Sequence, residues 1–93
     1  MAYIKIELTE IGEGFIPYQS VAAFIVIDKE DYLLDSVLLD NEDYQADVDV
    51  ISGFIGMWEI RAETDKISFE IDEEVSQLEI ELSAMIENEK EEN

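Results

Sequence analysis

A chain of 93 residues with 25 acidic and 5 basic side chains carries a formal net charge of −20, a balance that opposes direct contact with DNA, RNA or an anionic membrane face. It contains neither cysteine nor histidine, which excludes disulfides, thiolate and imidazole metal sites, and every Ser–His or Cys–His nucleophile pair. Its hydrophobic fraction of 47%, recurring at strand and helix spacings, argues for one packed domain over residues 1–87, followed by an acidic tail, 88–93, expected to fray into solvent.

The opening run Tyr3-Ile4-Lys5-Ile6-Glu7-Leu8 alternates, so it predicts a half-buried strand with Ile4, Ile6 and Leu8 inward. Gly12, Gly14 and Pro17 then punctuate a loop whose Phe15, Ile16 and Tyr18 are expected to fold back over the core edge. Val21 to Ile27 is a continuous apolar run rich in β-branched residues, which predicts a central strand buried on both faces. From Asp28 to Asp49 the chain sets nine carboxylates against a single lysine, with aliphatic and aromatic residues threaded between them. Within that stretch Asp31 is positioned to cap a short helix over 31–40, with Leu34, Val37 and Leu38 on one face; a hairpin turning at Asp35-Ser36 is the competing pattern. The helix is preferred because leucine favours it and no glycine supplies a tight turn.

Asp40 to Asp43 reads as a turn. Ala46, Val48 and Val50, alternating with Asp47, Asp49 and Ile51, predict a strand with acid on its outer face, interrupted at Ser52-Gly53. Phe54 to Ala62 predicts an aromatic-rich strand, Glu63-Thr64-Asp65-Lys66 a hairpin loop, and Ile67, Phe69 and Ile71 its partner strand. Asp72 is placed to cap a helix with Glu73 and Glu74 in its first turn and an apolar stripe of Val75, Leu78, Leu82, Met85 and Ile86. The expected fold is α+β: a small antiparallel sheet of about four to five strands with a C-terminal amphipathic helix packed on it.

The acidic surface is the main functional signal. Its candidate partner-binding residues are Glu30, Asp31, Asp35, Asp40, Glu42, Asp43, Tyr44, Asp47 and Asp49, and a second candidate face carries Glu73, Glu74, Glu79, Glu81 and Glu87. On a strand, Asp47 and Asp49 would lie roughly 6.6–6.8 Å apart on one face, close to the advance of every second phosphate at about 3.4 Å each along one DNA strand. Carboxylates so spaced can accept from the lysines and arginines that otherwise hold phosphates. Calcium is not indicated, because a loop starting at Asp40 has Gln45 where an EF-hand needs glycine and Ile51 where it needs glutamate. No cofactor is implied. A single small core leaves little material for a pocket, so a non-enzymatic role is expected.

In size and composition the chain resembles small inhibitors from phages and mobile elements that imitate nucleic acid, among them anti-restriction and anti-CRISPR proteins. The resemblance implies an inhibitor whose partner is a basic nucleic-acid-binding protein, such as a nuclease or effector complex, blocked at its DNA- or RNA-binding groove. Charge and length carry this resemblance, and no residue motif transfers a role to a particular position. The alternative is an acidic structural or assembly module that forms a homodimer, or docks elsewhere, through its C-terminal helix. The N-terminus Met-Ala-Tyr-Ile-Lys lacks a signal peptide's apolar region and no segment reaches about 18 consecutive apolar residues, so the expected location is cytoplasmic with no membrane partner.

Overall fold

Alternation of apolar and polar side chains builds three long strands in the first half of the chain. The computed structural model describes residues 1–11, 18–39 and 42–91, and in it β1 spans Ala2–Ile11, β2 Tyr18–Ile27 and β3 Glu30–Leu38. β1 and β2 pair antiparallel from Ala2 opposite Ile27 to Ile11 opposite Tyr18. The predicted loop residues Gly12, Gly14, Phe15, Ile16 and Pro17 lie outside the described residues, as does Asp40.

A two-residue turn joins β2 to β3. Ile27 pairs with Glu30, and between them Asp28 and Lys29 have φ values of 50° and 71°. Two successive positive φ angles match the right-handed twist of the flanking strands, and this turn needs no glycine to form. The short helix expected over 31–40 is therefore replaced by β3, and the chain does not turn at Asp35-Ser36. A register shift opposite Ala23 and Phe24 interrupts the β2–β3 ladder near that point. Leucine's helix preference over β-branched residues is only a few tenths of a kcal/mol, too small to outweigh pairing with β2 from Ser20 to Ile27.

The largest departure from the sequence expectation is α1, Tyr44–Asp65, a single helix where two strands and a hairpin loop were predicted. The Asp43 side chain caps it by accepting from the Ala46 N–H at 3.1 Å. Ile51, Phe54 and Ala62 are buried and Trp58 packs beside them, a stripe spaced three, four and four residues apart that suits a helix. The helix ends where Lys66 adopts the left-handed conformation (φ 57°, ψ 41°) and its N–H reaches the Ala62 and Glu63 carbonyls. Ile67 N–H also returns to the Ala62 carbonyl at 3.0 Å, a pattern that satisfies the last carbonyls of a helix. Glu63 to Lys66 is thus a helix end and not a hairpin loop.

β4, Ser68–Ile71, pairs with β1 in parallel, Ile4 opposite Phe69 and Ile6 opposite Ile71. The sheet order is β3-β2-β1-β4, mixed where a wholly antiparallel sheet was expected, because the 22-residue α1 carries the chain back along the sheet before β4 begins. Asp72 caps α2, Glu73–Glu91, as anticipated: its carboxylate accepts from the Glu74 N–H at 3.3 Å. The architecture is α+β, a four-stranded sheet with two helices and the C-terminal one packed on it.

Cross-strand register places Ile4 with Ile25, Ile6 with Ala23 and Leu8 with Val21 on one face of the sheet. Against it, Ile51, Phe54 and Ala62 of α1 and Val75 and Leu82 of α2 complete the core. Both helices therefore cover the same face. Gly53 and Gly56 interrupt the sequence of α1, yet apart from the adjoining residues and the backbone of the helix itself nothing lies within 4 Å of a Cβ built on either. Alanine favours a helix interior over glycine by about 0.8–1 kcal/mol per site, so the double variant Gly53→Ala/Gly56→Ala is expected to be more stable by about 1.5–2 kcal/mol. At about 4–8 °C per kcal/mol for a domain of this size, thermal melting will show it; a lower melting temperature would speak against a helix here.

Candidate functional site

Most of the described carboxylates fall into two groups. The first belongs to β3 and its surroundings, on the edge of the sheet. Glu30, Asp31 and Asp35 are all exposed; Glu30 accepts from the Tyr32 hydroxyl at 2.7 Å and Asp35 from the backbone N–H of Ser36 at 2.8 Å. The Glu30 carboxylate holds the Tyr32 phenol above its ordinary value of 10.0 by stabilising the protonated hydroxyl. Asp31 lies 3.4 Å from Lys5 Nζ, which also contacts Glu7 at 2.7 Å.

Lys5 thus meets two carboxylates, and Arg61 is paired with Asp65 one helical turn away at 3.0 Å. The hydrogen bond from Lys5 to Glu7, opposed by desolvation and helped by the charges of Glu7 and Asp31, holds its ammonium above the ordinary value of 10.5. A raised folded-state value makes the stabilisation complete below the unfolded value and lost as pH rises through the folded one. The difference in unfolding free energy between wild type and Lys5→Met should therefore be constant through neutral pH and shrink above about pH 10.5. Denaturant titrations across that range check it, with an expected magnitude below about 1 kcal/mol for an ion pair at the protein surface.

The second group lies on the helices. Glu42 and Asp43 are exposed at the start of α1, and Asp49 is exposed and accepts from the Gln45 amide at 3.1 Å. Asp47 behaves differently: it is 2% exposed and held by interactions within the fold. Two residues apart on a helix is a rotation of about 200°, so Asp47 and Asp49 point in opposite directions and the phosphate-like pair expected on a strand does not exist. Tyr44, expected at an exposed acidic rim, is half-buried and packs against the core. On α2, Glu73, Glu74, Glu81 and Glu87 are exposed, whereas Glu79 is half-buried and accepts from the Ser52 hydroxyl of α1 at 3.5 Å.

The helical form of α1 adds acids that the strand expectation hid: Glu59, Glu63 and Asp65 are all exposed. Their spacing from the buried stripe at Phe54, Trp58 and Ala62 was the available signal. Glu74 and Glu81 are two helical turns apart on α2, about 10.5 Å along its axis at 1.5 Å per residue, or about three phosphate steps of 3.4 Å. α2 thus holds these two carboxylates at a fixed interval.

Two open depressions lie near the C-terminal half of α1. One, about 230 Å³, is lined by Met57, Trp58, Ile60, Arg61 and Thr64. The other, about 160 Å³, lies between α1 and the sheet and includes Ile4, Ile25, Leu34, Trp58 and Ile67. Trp58 Nε1 is buried and has no hydrogen-bond acceptor among the described residues. Among the described residues, no three carboxylates converge to hold a metal ion, and no helix is long and apolar enough to cross a membrane. No protein-family model, curated protein or solved structure matches the chain.

Proposed function

We propose that this protein is a non-enzymatic inhibitor that occupies the nucleic-acid groove of a basic nuclease or effector complex, presenting carboxylates in place of phosphates. Anti-restriction and anti-CRISPR proteins that imitate nucleic acid act in this way, and the role fits a phage or mobile-element product acting in the cytoplasm. The observation that carries the reading is the outward disposition of the charge. The chain bears −20, with 25 acidic against 5 basic residues, and exposed acidic side chains line β3, α1 and α2. Carboxylates mounted on packed strands and helices keep fixed spacings, so a cationic groove can be matched without first ordering a flexible tail. Long-range attraction also accelerates association with a basic target and weakens as salt screens it.

The alternative of assembly through α2 has less surface to work with. Leu82 and Val75 are buried in the chain's own core and Leu78 packs against it, leaving Ile80 and Met85 as the exposed large apolar residues of α2.

Competition tests the proposal. Excess protein, added at low salt to basic nucleases and effector complexes carrying labelled DNA or RNA, is expected to release the nucleic acid from its target and to lose potency as salt rises. Failure to displace nucleic acid from any of them, together with no basic protein co-purifying from cells, would sink it.

A further inference from the structure

β3 is an edge strand with only β2 as its neighbour in the sheet. Eight of its nine residues are exposed, among them Tyr32 at 49%, Leu33 at 63% and Leu38 at 64%. Among the described residues no element hydrogen-bonds its outer edge. An apolar edge of this length ordinarily recruits another strand, most readily from a second copy of the same chain. Here the charges discriminate. Glu30, Asp31 and Asp35 stand on β3, and each chain carries −20, so a second copy is repelled whereas a cationic segment is attracted.

The ground beside the strand suits side chains as well as charge. Leu34 borders the 160 Å³ depression that Ile4, Ile25, Trp58 and Ile67 share, with the Arg61–Asp65 ion pair at its rim supplying one charge of each sign. A strand added to β3 would send alternate side chains toward that depression and the others toward the opposite face of the sheet, where Leu33 and Leu38 are exposed. We propose that the outer edge of β3 receives a basic extended segment of the partner protein, alternating cationic and apolar residues, as a fifth strand. The proposal rests on the reading that the partner is basic and names the form in which its chain is held.

The probe is a peptide of about eight residues alternating lysine and valine, titrated at low salt into the full chain and followed by Trp58 fluorescence. Trp58 is the chain's single tryptophan. Backbone hydrogen exchange then locates the contact. The control peptide has the same side chains but carries N-methyl groups at alternate amides, which keeps the charge and abolishes strand pairing. The expected result is binding that slows exchange in residues 30–38, with the methylated peptide weaker by about tenfold or more, since several backbone hydrogen bonds are lost. Equal affinity of the two peptides, protection confined to the helices, or no binding of either would overturn it. Either of the first two outcomes, accompanied by successful displacement of nucleic acid from a basic target, would remove strand addition while leaving the inhibitor reading in place. Protection of β3 without any such displacement would do the reverse.

Discussion

Replacing Ile51 by alanine is expected to lower the unfolding free energy by about 2–5 kcal/mol, the range for truncating a fully buried isoleucine and leaving a partly unfilled space. Ile51 has 0% exposure and shares one core with Ile4, Ile6, Phe54 and Val75, so its side chain joins the sheet to both helices. Val50→Ala is the informative companion. Val50 is 38% exposed, and a surface change of this kind is expected to stay within about 0.5 kcal/mol. Had 46–51 been a strand with its acids outward, Val50 would have faced the core and Ile51 the solvent, and the two costs would be exchanged. Denaturant unfolding of both variants checks this, and a costly Val50→Ala beside a neutral Ile51→Ala would refute the helix.

Neutralising the helix-borne acids as Glu59→Gln, Glu63→Gln, Glu81→Gln and Glu87→Gln is expected to slow association with a basic target at low salt by about tenfold or more, because steering of this kind changes on-rates by about 10–10³. All four are exposed, and removing them takes the charge from −20 to −16. The defect should disappear at high salt, where wild type also loses steering. Folding is expected to change little, as each substitution keeps the side-chain shape at the surface. Stopped-flow association against a nuclease released in the competition assay provides the measurement. An unchanged rate would remove the helices from the binding surface and leave the β3 carboxylates Glu30, Asp31 and Asp35 to carry it.

These expectations depend on α1, the element that sequence patterning misassigned. Ala46, Val48 and Val50 do alternate with Asp47, Asp49 and Ile51, and the β-branched residues and glycines of 48–56 are poor helix formers taken singly. The same stretch also satisfies the helical period through Ile51, Phe54, Trp58 and Ala62. A short apolar run can obey both periods. The choice between them followed from the sheet face formed by Ile4, Ile6, Val21 and Ala23, which a long helix covers with one stripe. For β3 the error came from weighing leucine's helix propensity without a pairing partner; β2, already present and extended, supplied one through a turn at Asp28 and Lys29.

By itself the sequence determined the charge, the exclusion of cysteine and histidine chemistry, the α+β class, strands β1 and β2 with their inward Ile4, Ile6 and Leu8, and the capping of α2 by Asp72. Each of these rests on composition or on a pattern completed within a few neighbouring residues. The tertiary structure alone decided that Asp47 is buried while Asp49 is exposed, that Tyr44 packs inward, that β4 joins β1 in parallel, and that among the described residues β3 stands at the sheet edge with its carboxylates exposed. Those properties depend on which surfaces distant segments cover, and a free strand edge or a buried acid acquires that character only once the neighbouring elements are in place.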